Sequence, residues 1–371
     1  MEIGILTITP NVGFGGIMQA FALQKVIKEL SGGEVEVINY SQKFSLKQRV
    51  AYFVRNLKDR IIKGSFTRLS PEGEFRYRTT NTRPFIEKHI RMSKRVTVGK
   101  SFSDYVNKKY DVVIVGSDQV WRPKYVLSIY DYFFEGINPS IRKIAYAASL
   151  GVCEWEFSPV ETERCSVLLR NFDFISVREK SAVELINSHL RPIIEVNWVL
   201  DPTLLLTKDV YRKLIEERCL KEKYLFTYIL DSNKQKEDIV KLIGIKLGIS
   251  VEAFSTCGEN YSLPLKDRVA PKVEDWLQGI YYSDFVVTDS FHGCVFSIIF
   301  NKPFLVYVNK ERGADRFESV LGKLELTDRM IYDSEHFSLE ILRNQVNWNR
   351  INEILESERC EIFRKLKNEL K

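Results

Sequence analysis

Residues 2–40, EIGILTITPNVGFGGIMQAFALQKVIKELSGGEVEVINY, hold a strand, a glycine-containing loop, a helix and a second strand in succession. The apolar run at 2–8 reads as a buried strand. Helical periodicity occupies 17–30, Ser31-Gly32-Gly33 stops it, and 34–40 reads as the next strand. A βαβ unit of this kind joins parallel strands and implies a doubly wound α/β sheet.

The alternation continues along the chain. Apolar strands are expected at 110–116 (YDVVIVG), 143–149 (KIAYAAS) and 173–177 (DFISV), the last running into Arg178 and a helix that starts near Glu179. After Asp201-Pro202-Thr203 it restarts, with strands at 224–230, 249–254, 284–288 and 304–308. Helices fall near 234–247, 272–281, 291–300 and 350–369. We read two Rossmann-like, doubly wound α/β domains, 1–205 and 206–340, followed by a C-terminal helical segment, 341–371. Two such halves would face each other across a cleft in the GT-B manner, with ligands beyond the carboxyl ends of the strands.

The chain has 371 residues, 44% apolar and 28% charged, the balance of a globular protein of about two domains. Formal net charge is +6, but residues 41–70 alone carry eight basic residues and one acid, and the remainder is close to neutral. Nucleic-acid-binding domains spread basic charge through the fold, so no nucleic-acid partner is expected. Within 46–61, Leu46, Val50, Phe53, Val54, Leu57 and Ile61 recur at helical spacing and cover about 100° of a helix. Lys47, Arg49, Arg55, Lys58, Arg60 and Lys63 lie outside that arc. Segment 44–66 is therefore expected to be a basic amphipathic helix. It either rests on an anionic membrane surface or packs on its own domain with a solvated basic face.

Met1-Glu2 runs straight into a strand with no basic stretch or small-residue cleavage site, so no secretory leader is expected. The longest apolar stretch, Cys294–Phe300, is far short of the ~20 residues of a membrane span. The six cysteines are scattered singly, with no Cys-x-x-Cys and no histidine at zinc-ligand spacing. We expect reduced thiols, no structural metal and a cytoplasmic location.

Several polar clusters fall at predicted strand ends. In the loop after the first strand, Asn11, Gly13, Gly15 and Gly16 would let backbone N–H groups approach a ligand, or would simply form a tight turn into the helix. The spacing is not G-x-G-x-x-G and no acid ends the second strand, which disfavours a nicotinamide cofactor. No G-x-x-x-x-G-K-[ST] occurs either. Thr288-Asp289-Ser290-Phe291-His292-Gly293 ends a strand and opens a helix. Ser290 is the expected N-cap, and His292 lies in the first turn beside free N–H groups, a setting for an anion and a proton donor. His89, His189 and His336 sit in polar, surface-like contexts. Arg178, Arg312 and Arg316 lie at carboxyl ends, where guanidinium groups hold carboxylate or phosphate, or form surface ion pairs. Ser117, Asp118 and Gln119 end another strand. There Asp118 would accept a proton from a hydroxyl or cap the next segment. Cys294 is two residues from His292 on a helix and points away from it, so no Cys–His pair is expected.

Taken together, these residues resemble the polysaccharide pyruvyl transferase family. The resemblance runs from the first strand and QAFALQ (19–24) through GSDQVW (116–121), YAASLG (146–151), ISVRE (175–179) and LDPTLLL (200–206) to DSFHGCVFSIIFNKPF (289–304). It implies a GT-B-like enzyme that transfers the pyruvyl group of phosphoenolpyruvate to a saccharide diol as a ketal, with phosphoenolpyruvate as co-substrate and no cofactor or metal. It makes His292 the general acid and Arg178 a binder of the phosphoenolpyruvate anion, and from its place at a strand end we take Asp118 as the carboxylate that accepts the acceptor hydroxyl's proton. Arg178 from the first half, with Ser290, Gly293, Arg312 and Arg316 from the second, would form the donor site. Asn11, Gly13, Gly15, Gly16, Ser117 and Gln119 would form the acceptor side in the first. Many relatives carry arginine where this chain has Ser290, and Arg312 or Arg316 is the expected replacement. Family acceptors are often saccharides on a polyprenyl diphosphate carrier, which would place the protein on the cytoplasmic face of a membrane. The alternatives are a GT-B glycosyltransferase using a nucleotide sugar, which needs a nucleotide-contacting acid or aromatic in the second half, and a non-catalytic carbohydrate-binding protein of envelope assembly.

Overall fold

Strand β1 (Glu2–Leu6) leads through a loop ending at Gly13 into helix α1 (Phe14–Ser31), so Gly15 and Gly16, expected in the loop, belong to the first turn of the helix. The helix ends where Gly32 takes φ +63° and donates its N–H to the Lys28 carbonyl, a left-handed cap that suits glycine. Strand β2 (Glu34–Ser41) then pairs parallel with β1, completing the βαβ unit. The computed structural model describes residues 1–41, 46–63, 71–217, 222–255, 263–308, 313–332 and 337–371.

Beyond β2 come helices α2 (Leu46–Lys63), α3 (Pro71–Arg78) and α4 (Arg83–His89), strand β3 (Met92–Thr97), helix α5 (Lys100–Lys109) and strands β4 (Val112–Val115) and β5 (Arg142–Ala148). Helix α6 (Pro159–Leu169), strand β6 (Phe174–Val177), helix α7 (Lys180–His189) and strand β7 (Val196–Trp198) follow. Among the described residues these seven strands form one parallel sheet in the order β3-β2-β1-β4-β5-β6-β7. The second half contains α8 (Lys208–Arg212), β8 (Tyr224–Tyr228), α9 (Lys234–Leu247), β9 (Ser250–Phe254), α10 (Val273–Tyr282), β10 (Phe285–Thr288), α11 (Phe291–Ile299), β11 (Phe304–Tyr307), α12 (Asp315–Lys323) and β12 (Met330–Ile331). Its five described strands are also parallel, ordered β12-β11-β10-β8-β9. Winding direction reverses between β1 and β4 in the first sheet and between β8 and β10 in the second, the positions where open α/β sheets bind ligands.

The halves are joined by more than a crossover. One hydrophobic core runs through both, taking in Ile3, Phe14 and Leu23 from the first and Tyr228, Trp276 and Phe296 from the second. Phe14, the first residue of α1, stacks on Trp276 at 5.4 Å between ring centroids. Separate cores fill the outer face of each sheet. Helix α13 (Trp348–Glu369) contributes Ile351, Leu355, Ile362 and Leu366 to the shared core. Arg359 on α13 donates to the Leu204 and Leu206 carbonyls at 2.7 and 3.2 Å, and Lys365 to Asn197 at 2.8 Å.

Three described strands escaped the sequence reading, among them the two-residue β12. β3 (MSKRVT) is an edge strand whose exposed positions carry Lys94 and Arg95, so it lacks an apolar run. β7 is only three residues long. Helix α2 forms as its periodicity implies, but its apolar stripe is turned outward: Leu46, Phe53 and Ile61 are 78%, 68% and 77% exposed. No described helix is long and apolar enough to cross a membrane.

Candidate functional site

Four chain segments leave the first sheet at its carboxyl edge and converge on Arg178. Arg178 follows β6 and is buried. Its Nη1 donates to Asp201 Oδ2 at 2.8 Å, its Nη2 to Ser149 Oγ at 3.2 Å, and its Nε to Glu179 Oε1 at 3.3 Å. Ser117, after β4, is fully buried and donates to Asp201 Oδ2 at 3.0 Å, so its hydroxyl belongs to this ionic network. Asp201, after β7, also accepts from the Thr203 N–H and hydroxyl at 3.0 and 2.6 Å.

The second half brings His292 to the same place. Strand β10 ends at Thr288, and Ser290 caps α11 by accepting the Gly293 N–H at 3.3 Å. Ser290 and Gly293 are thus engaged with each other at the helix start. His292, one residue after the first helical position, points its ring across the domain boundary. Nε2 stands 3.7 Å from Asp201 Oδ2, an ion-pair distance longer than a hydrogen bond. Among the described residues this buried nitrogen makes no hydrogen bond. The other side of the ring lies against Gly15, where a Cβ would overlap Nδ1. A Cβ on neighbouring Gly16 would lie 3.7 Å from Asp118 Oδ2. Asp118 adopts φ +77°, half-buried, with Oδ1 accepting the Gln119 N–H at 2.9 Å. Gln119 accepts from Arg122 at 3.0 Å and lies over Gly151, whose φ of +76° and crowded Cα both demand glycine. Asn11 uses its side chain locally, accepting the N–H groups of Val12 and Gly13, while its carbonyl accepts from Thr82 at 2.7 Å.

Arg316, on α12, is the second guanidinium here. Arg178 and Arg316 have their Cζ atoms 4.4 and 5.8 Å from the centre of the Phe291 ring. Burial and the neighbouring Arg178 charge push the Arg316 guanidinium down to about 10, against opposing pulls from Glu179 and Asp118. Both guanidinium groups lie against one aromatic ring, and Arg316 feels the Arg178 charge. Arg312 lies outside the described residues, as does His336.

The two carboxylates on Arg178 are driven in opposite directions. Burial alone would raise Asp201, but His292, Arg178 and Thr203 outweigh it and hold this carboxyl well below the usual carboxylate range. Glu179 is equally buried, and there desolvation prevails over Arg178 and Ser149, raising it. Its Oε2 is buried with no hydrogen bond among the described residues. Neither carboxylate was a candidate from the sequence. Asp201 stood in LDPTLLL and Glu179 in ISVRE, but nothing local shows that they enclose a charge contributed elsewhere.

Asp289, the acid at the end of β10, is occupied: it accepts the Leu230 and Asp231 N–H groups at 2.6 and 3.1 Å and pairs with Lys236 at 2.7 Å. It is therefore not free to contact a nucleotide. Among the described residues no cluster of three or more His, Cys, Asp or Glu is placed to hold a metal ion.

Known structures share this architecture at low sequence identity. The UDP-GlcNAc 2-epimerase of Neisseria meningitidis, solved with UDP-GlcNAc, aligns over 99% of this chain and 94% of its own with a TM-score of 0.52 and 13% identity. A putative UDP-N-acetylglucosamine 2-epimerase from Listeria monocytogenes aligns over 96% and 91%, with a TM-score of 0.52 and 10% identity. These likenesses establish a GT-B-type fold of two parallel-sheet α/β domains. No curated protein sequence is detectably similar to the chain. The sequence profile of the polysaccharide pyruvyl transferases, however, matches residues 14–311, a span that includes Arg178, Asp201 and His292, and the chain belongs to that family.

Proposed function

We propose that the protein transfers the pyruvyl group of phosphoenolpyruvate to two hydroxyls of a saccharide, forming a cyclic ketal and releasing phosphate. The observation that carries this reading is the placement of Arg178 and Arg316 around the Phe291 ring, beside His292 at the start of α11. A small, multiply charged anion fits that arrangement better than a neutral sugar does.

In this reading the donor's carboxylate and phosphate lie on Arg178 and Arg316, the latter standing in for the arginine that relatives carry at the Ser290 position. His292, its Nε2 facing Asp201 at 3.7 Å, delivers a proton to the C3 methylene. Positive charge develops at C2 as C3 becomes a methyl group. Asp118 takes the proton of an acceptor hydroxyl, whose oxygen bonds to C2. The C2–O bond to phosphate breaks, and a second hydroxyl closes the ketal as its proton passes to the departing phosphate, which leaves as the dianion resting on the arginines. General acid catalysis of this kind is typically worth ~10²–10⁴-fold.

Gly16, with no side chain, leaves the space in front of Asp118 open for the acceptor. The acceptor we assign is a carrier-linked envelope sugar, with a polyprenyl diphosphate as the carrier and the cytoplasm as the place of reaction. The experiment is incubation with labelled phosphoenolpyruvate, with and without saccharide acceptors, followed by mass spectrometry of the sugar. Acceptor-dependent phosphate release with a pyruvate ketal on the product supports the reading. Transfer of a sugar from a nucleotide donor, with no consumption of phosphoenolpyruvate, overturns it.

A further inference from the structure

Helix α2 is mounted the opposite way from an ordinary surface helix. In a globular protein the apolar stripe faces the core and the polar face meets water. Here the half-buried positions are Tyr52, Asn56 and Asp59, spaced i, i+4, i+7. The stripe turned outward is Leu46, Val50, Phe53, Val54, Leu57 and Ile61, between 45% and 78% exposed. At about 100° per residue the two faces lie roughly opposite one another. Exposed Lys47 and Lys58 border the stripe on one side, and exposed Arg49 and Arg60 on the other.

The inward polar face is anchored. Tyr52 donates its hydroxyl to Glu74, Arg49 pairs with Glu72, and Glu74 forms a buried ion pair with Arg268 of the second half. Next to these, the Ala270 N–H donates to the Arg78 carbonyl at 3.1 Å, and Thr82 holds the Asn11 carbonyl of the glycine loop. The outward stripe therefore belongs to a helix fixed to α3, and Thr82, four residues after α3, holds the loop that lines the candidate site.

We infer that α2 docks the protein on a bilayer rich in anionic headgroups, the helix lying in the interfacial plane with its apolar stripe inserted. Eighteen residues give about 27 Å of helix for this purpose. Charge decides between occupants. A second copy docking stripe to stripe would bring the like Lys47 and Lys58 borders of the two helices together, whereas an anionic surface complements them. The inference goes beyond the proposed reaction and does not depend on it, because docking requires no substrate.

The test is co-sedimentation of the full chain with vesicles of phosphatidylcholine alone and with vesicles containing phosphatidylglycerol. Wild-type protein is expected to bind only the anionic vesicles, and 0.5 M salt should weaken binding. The double change Lys47→Gln, Lys58→Gln should lower partitioning on the order of 25-fold, about five-fold per charge. Phe53→Ser with Leu57→Ser should abolish binding while the far-UV circular dichroism and the melting temperature are retained. Failure of wild type to bind, or unchanged binding by the charge variant, overturns the inference. So does a dimer in solution that the Phe53→Ser, Leu57→Ser variant converts to a monomer without any vesicle binding, which would make the stripe a protein interface.

Discussion

The imidazole of His292 is seated against the Cα of Gly15, a contact between the two halves of the protein that leaves no space for a β-carbon. Gly15→Ala must move the ring, the start of α1 or both. A displacement of about 1 Å at a reacting group can cost about 10²-fold. We expect Gly15→Ala to lower kcat by that order. Gly13→Ala, at a position with no neighbour within 4 Å, should behave like wild type. Steady-state kinetics of the pair checks the contact.

His292→Ala removes the proposed acid. The expected loss is ~10²–10⁴-fold in kcat, with phosphoenolpyruvate still bound by the arginines and the melting temperature little changed. Near-normal turnover would take the histidine out of the mechanism.

The carboxylates on either side of Arg178 should respond oppositely to neutralisation. Asp201 has its folded pKa depressed, so its contribution to stability is present above the unfolded value of 3.8 and is lost as pH falls below it. Asp201→Asn should cost about 3–5 kcal/mol near neutral pH, as for a broken buried pair, with the gap to wild type closing in acid. Glu179 is raised, so its ionised form is the disfavoured one above the unfolded value of 4.5. Glu179→Gln should be neutral or stabilising at pH 7. Melting curves of both variants between pH 3 and 8 decide the matter.

Arg316 carries the electrostatic strain of sitting near Arg178. Arg316→Gln should raise the KM for phosphoenolpyruvate at least tenfold yet leave the unliganded fold no less stable. Conversely, phosphoenolpyruvate at about 100 times its Kd should stabilise wild type by about 2.7 kcal/mol, and the variant far less at the same concentration. An unchanged KM in Arg316→Gln would remove it from donor binding.

The frame of this fold is legible in the sequence because buried parallel strands are continuous apolar runs. EIGIL, VVIV and FISV announce themselves. β3 does not, because one side of an edge strand meets solvent and tolerates Lys94 and Arg95. Within the site, His292 and Arg178 were legible from their places at strand ends. Asp201 and Glu179 were not, since each matters through a partner: Asp201 through a histidine 91 positions along the chain, Glu179 through its burial. The periodicity of α2 showed which residues share a face, but periodicity is the same whichever face is turned to the protein.

Helix α13 gives the protein an order of assembly. Its arginine and lysine bind the 197–206 stretch, Arg142 reaches the Glu369 carbonyl across 227 residues, and its apolar side closes the core shared by both halves. During synthesis the first sheet emerges with that flank bare, and it stays so until α13 has left the ribosome. The first half is then a late-maturing unit that waits on the second, so a ribosome stalled before residue 348 should present a chain that proteases cut in both halves.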